Sequence, residues 1–512
     1  MSEDQRDVIA FLNDPASHGR EVDRVEVLET HASLIFIAGE RVFKLKRAVK
    51  YPYLDFSSVD LRRRACEAEL ALNRRTAPAL YKDVRGLFRG ADGAVDFTPH
   101  GQALDWVVVM RRFDQGLLFD ALAGTGGLDR EVMDQLADHI AQFHASAARH
   151  VDCGGTAEMA DLTEVQHRCL AAPSRAGFKP DRVHGILEKW KGQVTVLAEL
   201  LDRRRAAGKV RHCHGDLHLR NICLLDGKPT LFDCLEFDEG LASIDVLYDL
   251  AFLLMDLEYR RLGHFANRVL NRYLDRTQED DGLAAMPFFL SLRAAIRAHV
   301  AATALKHADR AAGNPNMACE ARRYFDLAER FLQPQPCRLV AIGGLSGTGK
   351  STVAAGLAPD LGLRPGARVL RSDVTRKLLL GVDPEQRLPA SAYTRETSRR
   401  VYDVLCRKAA MSLGAGYTVI IDAVALATEE RASFAEVARA AGVAFSGLWL
   451  EARPEAMANR IRGRVRDASD ASPEVLAEQL RHDPGKIDWT HIDAGGRPED
   501  CLAAARHALA AD

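Results

Sequence analysis

The 512-residue sequence has no excess of either charge, and its formal net charge is -2. This balance argues against nucleic acid as the partner, since a dedicated polyanion-binding protein carries a basic excess. Among the ten cysteines there is no Cys-x-x-Cys pair, which is typical of reduced thiols in the cytoplasm. No apolar run approaches the length that crosses a bilayer, and the polar N-terminus is unlike a signal peptide. We therefore expect a soluble cytoplasmic protein without a membrane segment.

The chain also lacks any internal repeat or low-complexity tract, yet it is too long for a single hydrophobic core. A short proline-bearing segment, Gln333-Pro-Gln-Pro336, interrupts the helical pattern and precedes a new strand. We predict a first domain over residues 1–332, a linker over 333–337 and a second domain over 338–512.

Asp216, Asn221 and Asp233 have the order that a phosphoryl transfer from ATP requires. The segment from His214 to Asn221 has the spacing H-x-D-x-x-x-x-N, and Asp233 follows an apolar run. We predict that Asp216 accepts the proton of an attacking hydroxyl and that Asn221 and Asp233 bind Mg²⁺. A helix cap at Asp216 with a turn at Asn221 is the alternative. Zinc ligation by the histidines here is disfavoured, because their spacing fits no common zinc pattern.

The region before this loop predicts a strand-rich lobe with a phosphate-binding lysine. Strands are expected within residues 22–47, where Lys44 and Lys46 point to the same face. We favour Lys46 as the lysine that binds the ATP phosphates, because it closes the apolar run. On the following helix, Glu67 is the first choice for its ion-pair partner and Glu69 the second; a solvated surface charge is the alternative reading for either.

The sequence also indicates where the first domain divides into two lobes and which kinase class it does not match. The apolar strand that ends at Met110 is the expected junction, with the N-lobe over about 20–110 and the C-lobe over about 111–332. Backbone groups at Met110 would contact adenine, although a plain core strand would have the same composition. The G-x-G-x-x-G loop of ordinary protein kinases is missing, which disfavours that class.

The second domain opens on a nucleotide-binding loop. A buried-type strand, the motif G-x-x-x-x-G-K-[ST] and a helix follow one another, which is the context that supports this motif. Its backbone amides would wrap the phosphates, with the lysine on the β and γ phosphates and the serine on Mg²⁺. The predicted nucleotide-binding residues are Gly344, Leu345, Ser346, Gly347, Thr348, Gly349, Lys350, Ser351 and Thr352.

Acidic residues end two later strands of this domain. Asp373 is predicted to take the proton of a second acceptor that Arg376 holds, with an N-cap as the alternative role of Asp373. Asp422 suits a magnesium ligand of the Walker-B type. Of the arginines at 460, 462, 464 and 466, we favour Arg460 and Arg464 as a lid over the transferred phosphate, against a solvated helix face.

On the residues from His214 to Asn221 and on Phe232-Asp233-Cys234, the first 330 or so residues resemble the aminoglycoside phosphotransferase family, which includes choline- and fructosamine-kinase-like enzymes. This resemblance implies a base at Asp216, metal ligands at Asn221 and Asp233, and a phosphate contact at Lys46. The last 175 or so residues resemble small P-loop kinases of the zeta-toxin, polynucleotide-kinase and gluconate-kinase type, with Arg371 to Arg376 similar to the D-x-x-R of polynucleotide kinases.

The expected fold class is therefore α/β and α+β in two domains: a bilobal protein-kinase-like fold, then a P-loop NTPase with a doubly wound parallel sheet. The expected function is a bifunctional kinase with two ATP and Mg²⁺ sites that act on small hydroxylated metabolites. The alternatives are that one domain only binds nucleotide to regulate the other, or that the second domain is a toxin-like or nucleic-acid-end kinase.

Overall fold

The structure, a computed structural model, describes residues 4–30, 32–51, 54–236, 239–307, 315–463 and 468–511. Contacts divide the chain into two compact units. The first combines Met1–Glu158 with Leu201–Leu253, and the second combines Met159–Leu200 with Leu254–Asp512. These units follow packing rather than chain order, so the boundary at 333–337 stays a prediction.

The strands lie mainly in the first 111 residues and after residue 337, with four short strands between residues 210 and 245. They are β1 (Val25–Glu29), β2 (Ser33–Ala38), β3 (Arg41–Lys46), β4 (Lys50–Tyr51), β5 (Leu54–Asp55), β6 (Tyr81–Arg89), β7 (Val95–Asp96), β8 (Ala103–Arg111), β9 (Val210–His212), β10 (Ile222–Leu225), β11 (Lys228–Leu231), β12 (Ser243–Asp245), β13 (Arg338–Gly343), β14 (Arg368–Arg371), β15 (Val419–Asp422), β16 (Ala444–Glu451) and β17 (Thr490–Asp493).

The helices dominate the middle of the chain. They are α1 (Arg6–Asn13), α2 (Val59–Asn73), α3 (Phe119–Thr125), α4 (Arg130–Ser146), α5 (Thr156–Ala171), α6 (Pro180–Ala206), α7 (Glu239–Ala242), α8 (Val246–Tyr259), α9 (Gly263–Thr277), α10 (Met286–His307), α11 (Pro315–Phe331), α12 (Lys350–Leu357), α13 (Ser372–Leu379), α14 (Arg395–Gly414), α15 (Thr428–Ala440), α16 (Pro454–Arg462), α17 (Pro473–Gln479) and α18 (Pro498–Ala511).

The first unit contains an antiparallel sheet of six strands in the order β1-β2-β3-β8-β6-β7. Alternate residues of β2 and β3, including Phe36 and Phe43, are buried in a core with Val8 and Leu12 of α1. Because strand side chains alternate, the residues between them face α2 instead. The predicted strands within 22–47 and the predicted helix after them are thus present.

The second unit contains a parallel sheet of five strands in the order β14-β15-β13-β16-β17. Its central strands are apolar on both faces, as expected when helices cover both sides of a parallel sheet. Val340 and Ile342 face one core and Leu339 and Ala341 face the other. The fold class is confirmed: a two-domain α/β protein with a parallel P-loop sheet.

One segment, Asp280–Leu305, is long and apolar enough to cross a membrane, with a mean hydropathy of 1.3. By length and composition alone, the expectation that no apolar run reaches bilayer length was wrong. In the structure, 61% of this segment's apolar window is buried among protein side chains, which is typical of a core helix.

Candidate active sites

A β-hairpin brings the predicted catalytic residues of the first site together. Asn221 precedes β10 and Asp233 follows β11, and these strands pair with Ile222 opposite Leu231. The Asn221 side chain donates hydrogen bonds to the Asp216 carboxylate (2.9 Å) and to its backbone carbonyl (3.0 Å). The structure therefore places the predicted base and one predicted metal ligand in contact, with the other metal ligand at the same, open end of the hairpin.

The loop that carries Asp216 is fixed from below by Asp249 of α8, which is fully buried. Its carboxylate accepts hydrogen bonds from the backbone N–H groups of His214 (3.1 Å) and Gly215 (2.9 Å), and it contacts the His144 ring at 3.1 Å. Burial opposes the charged imidazole, yet Cys234, Asp249 and Asp216 raise the pKa of His214 to about 9.

His144, Cys213 and Asp249 also lie close enough together to hold one metal ion. The oxygens of Asp249 already accept the bonds just described, and the Cys213 thiol donates to the carbonyl of Ile244 at 3.4 Å. The cluster is therefore satisfied as a hydrogen-bond network that supports the loop.

Two lysines and three carboxylates lie together between β3, α2 and the segment after β11, and all but Asp233, whose side chain is 40% exposed, are largely buried. Lys44 contacts Glu69 at 2.8 Å and Asp233 at 2.6 Å. Lys46 contacts Glu69 at 2.5 Å and also pairs with Glu236. Although burial of Glu69 opposes its charge, the two lysines lower the pKa of this carboxyl to about 2. The two lysines share one face of β3, as the sequence predicts.

The choice of Glu67 as the partner of the lysine was wrong. Glu67 is exposed and pairs with Arg63 one turn away, at 2.9 Å. The buried stripe of α2 consists of Arg62, Ala65, Cys66, Glu69 and Asn73, so Glu69, two residues beyond Glu67, faces inward. The geometry also favours Lys44 over Lys46 beside the phosphates, because Lys44 contacts the predicted metal ligand Asp233 directly.

Met110 lies in the middle of the sheet. It pairs with Val42 on one side and with Tyr81 on the other, and its side chain is buried. Its contact with adenine stays a prediction.

We predict that substitution of Lys44 lowers the affinity for nucleotide, whereas substitution of Lys46 lowers the stability of the fold. Lys44→Met is expected to weaken binding of an ATP analogue at the first site by roughly tenfold or more, the effect of losing a charged hydrogen bond. Lys46 is only 1% exposed, and its removal would take one ion-pair partner from each of Glu69 and Glu236. Lys46→Met is therefore expected to lower the free energy of unfolding by about 3 kcal/mol or more. Calorimetric titration measures the affinity and urea unfolding measures the stability. If Lys46→Met weakened nucleotide binding and Lys44→Met only lowered stability, Lys46 would be the lysine that binds the phosphates.

The nucleotide-binding loop of the second unit joins β13 to α12. Gly344, Gly347 and Gly349 have positive φ angles of 132°, 87° and 97°. A Cβ atom would lie 2.5 Å from the Leu450 carbonyl oxygen at Gly344 and 2.6 Å from that of Met457 at Gly347. Backbone conformation and close approach therefore both require glycine at Gly344 and Gly347, and backbone conformation alone requires it at Gly349.

The polar groups of this loop meet the end of β15. Lys350 donates to the carbonyls of Gly344 (2.8 Å) and Leu345 (3.0 Å). Ser351 donates to Asp422 at 2.6 Å, which brings both predicted magnesium ligands together. Arg371, which the sequence did not single out as a site residue, donates to Ser351 at 3.2 Å and lies 3.4 Å from Asp422.

Asp373 lies in the first turn of α13, two residues beyond the end of β14, so the predicted strand ends earlier than expected. Burial raises the pKa of this carboxyl, against the effect of Arg371 and a hydrogen bond from Ser469. Arg376 is buried, donates to Ser398 at 3.2 Å and lies over the Tyr393 ring at 4.7 Å. These residues line one side of a cavity of about 780 Å³ that also includes the nucleotide-binding loop. We call this the acceptor side, because the sequence predicts an acceptor there.

Of the two arginines favoured as a lid, the structure describes only Arg460. Arg460 of α16 donates to the carbonyls of Thr348 (3.3 Å) and Ala494 (2.8 Å), which places it against the nucleotide-binding loop. Arg464 lies outside the described residues.

Asp470 and Gln479 also line the cavity, and no sequence motif marks them. Asp470 accepts hydrogen bonds from Tyr393 (2.7 Å), from the N–H of Leu388 (3.1 Å) and from the buried Lys377 (3.2 Å). The side-chain oxygen of Gln479, on α17, accepts a hydrogen bond from the N–H of Ser346 at 2.9 Å. An amide oxygen thus binds a loop N–H group that is predicted to bind phosphate.

Gln479→Ala is expected to strengthen binding of an ATP analogue at the second site by roughly two- to tenfold. In the unchanged protein a phosphate must first replace Gln479 as the acceptor of the Ser346 N–H, and the alanine variant has no such hydrogen bond to break. Calorimetric titration measures the change. Leu480→Ala, at the neighbouring residue, which is 46% exposed, is the control and should leave the affinity unchanged. Weaker binding by Gln479→Ala would instead make Gln479 a nucleotide ligand.

The donor sets of both sites fit ATP with magnesium. Asn221 and Asp233 in one site, and Ser351 and Asp422 in the other, offer the oxygen ligands that Mg²⁺ prefers. In the first site Lys44 lies beside Asp233, and in the second Lys350 contacts the carbonyls of Gly344 and Leu345 in the nucleotide-binding loop. Each site thus contains a lysine, as charge neutralisation of phosphates requires.

Comparison with known proteins gives two family matches. A family described as "Phosphotransferase enzyme family" matches residues 17–289, and one described as "AAA domain" matches residues 339–483. Uncharacterized proteins of Mycobacterium tuberculosis and Mycobacterium bovis are 31% identical over 499 residues, which is 94% of this chain and 95% of theirs.

Solved structures resemble the chain in parts. A choline/ethanolamine kinase family protein from Mesorhizobium loti has 13% identity and a TM-score of 0.41, over 64% of this chain and 95% of its own. A gluconokinase from Sinorhizobium meliloti has 21% identity and a TM-score of 0.25, over 35% of this chain and 97% of its own. The APS kinase of Mycobacterium tuberculosis has the same identity and TM-score, over 35% and 99%.

Proposed function

Since the chain belongs to the phosphotransferase enzyme family, through the match over residues 17–289, we propose that it is a bifunctional kinase with two ATP and Mg²⁺ sites. The family assignment makes it an ATP-dependent phosphotransferase with a hydroxyl acceptor. The proposal adds that each site transfers phosphate to its own small hydroxylated metabolite, that nucleic acid is not an acceptor, and that the protein acts in the cytoplasm. All ten cysteines are thiols outside any disulfide, which supports a reducing compartment.

The contact between Asp216 and Asn221 is the observation that carries the first activity. Asp216 is 37% exposed at its side chain, so a substrate hydroxyl has access to it. Bound magnesium would neutralise the charge that develops on the phosphates. Asn221 orients the Asp216 carboxylate, Lys44 holds Asp233 beside the phosphates, and Asp249 fixes the loop.

The second activity is supported by an acid beside the nucleotide-binding loop. Asp373 has a raised pKa and lines the same cavity as Lys350 and Ser351. A purely regulatory nucleotide site needs no such base, so its presence favours catalysis over the regulatory alternative. Asp373 would take the proton of the acceptor hydroxyl, and Arg376 would orient the acceptor.

Stoichiometry tests the proposal. With magnesium present, calorimetric titration with a non-hydrolysable ATP analogue is expected to give two moles bound per mole of chain. Lys350→Ala should remove the second-site component and Lys44→Ala the first-site component. One mole bound by the unchanged chain would reduce the proposal to a single working site.

A further inference from the structure

Helix α9 lies within the region that matches the phosphotransferase family, yet it packs on the P-loop sheet. Both elements belong to the second compact unit. The Asn271 side chain of α9 accepts a hydrogen bond from the N–H of Val369 (2.8 Å) and donates one to the carbonyl of Ala367 (3.1 Å). Asn267 donates to the same carbonyl at 3.0 Å. These two asparagines thus bind the backbone at the start of β14, an edge strand of the sheet.

A buried charge cluster fixes the same contact. Arg368, the first residue of β14 and 1% exposed, lies 2.7 Å from both Asp275 and Asp280. Lys408 of α14 contacts Asp280 at 2.8 Å. Because buried ion pairs tolerate little displacement of either partner, the helix and the strand are held in one arrangement. This strand leads directly to Asp373.

Two arginines of α9 extend the contact to the segment 381–394, which follows α13. Arg272 lies 3.0 Å from Glu385, and Arg276 lies 2.5 Å from Asp383. The same segment supplies Tyr393 to the acceptor side of the cavity. The helix therefore reaches the second site through this segment as well as through β14.

We propose that α9 positions the acceptor side of the second site, so that the segment 381–394 is ordered by residues from the phosphotransferase region. Arg272 and Arg276 are positioning residues: they act on the acceptor through the segment that carries Tyr393. The nucleotide-binding loop has no part in these contacts. The inference rests on the proposed function only in calling this side of the cavity an acceptor site.

Hydrogen–deuterium exchange of the full-length protein tests the inference without a known acceptor. Arg272→Ala/Arg276→Ala is expected to speed exchange of peptides within 381–394 by roughly two- to tenfold, the effect of losing two partly exposed ion pairs. Binding of an ATP analogue at the second site, measured with Lys44→Ala in the first site, should stay within about twofold, since the nucleotide-binding loop keeps its contacts.

A variant with the charges of both ion pairs exchanged tests whether slow exchange can be restored, and a variant that breaks an unrelated surface ion pair is the control. Arg272→Glu/Arg276→Asp combined with Asp383→Arg/Glu385→Arg should restore slow exchange. Arg439→Ala, which breaks an exposed pair with Glu436 in α15, should leave the segment unchanged. Unchanged exchange in the double alanine variant, or an equal increase in the Arg439 variant, overturns the inference; absence of transfer to any acceptor would count against the proposed function alone.

Discussion

Asp216→Asn is expected to lower phosphate transfer at the first site by roughly 10²- to 10⁴-fold, because general-base catalysis typically contributes that much. Asparagine has nearly the same shape and still accepts the hydrogen bond from Asn221, so the loop should keep its structure. The amide cannot take the proton of the attacking hydroxyl. Initial rates of ADP formation with a responsive acceptor measure the loss.

The second site serves as the internal control for Asp216→Asn. Its rate and both ATP-analogue affinities should remain unchanged, since the change removes a proton acceptor and no phosphate contact. A loss at both sites would point to a shared reaction, and an unchanged first-site rate would remove Asp216 from the role of base.

Asp373→Asn is expected to produce a comparable loss, roughly 10²- to 10⁴-fold, at the second site alone. The raised pKa of Asp373 adds a pH signature. A base works only when ionised, so second-site kcat/KM should fall with decreasing pH at a higher pH than an unperturbed aspartate would give. The pH–rate profile of the unchanged protein measures this limb.

A structural role for Asp373 would give a different profile. If the residue only stabilises the first turn of α13, Asp373→Asn leaves kcat/KM and its acidic limb in place. Ser469→Ala removes a hydrogen bond that favours the ionised carboxylate and should move the limb to still higher pH.

The sequence was sufficient where chemistry depends on neighbours along the chain. The residues from Gly344 to Ser351 and from His214 to Asn221 have fixed spacings that place polar groups without any knowledge of tertiary structure. Both segments lie where their motifs predict, one between β13 and α12 and the other before the β10–β11 hairpin. The two-domain fold followed from them.

The sequence was insufficient where a choice depended on which face of an element is buried. From the sequence we favour Glu67 as the inward-facing glutamate. The buried stripe of α2 contains Glu69 instead, together with the polar residues Arg62 and Asn73, which an apolar pattern does not include. Their polar partners come from distant segments, such as Asp105 for Arg62 at 2.8 Å. Gln479 and Asp470 were missed for the same reason: only the folded chain brings them to the cavity.

The asparagines of α9 have a practical consequence for dividing the protein. A fragment that starts at the linker would expose the edge of β14, and bare strand edges recruit other chains and aggregate. Arg368 would lose both of its carboxylate partners in such a fragment. Recombinant fragments of the C-terminal half should therefore begin upstream of Gly263. A fusion protein that contains the P-loop domain should likewise include α9.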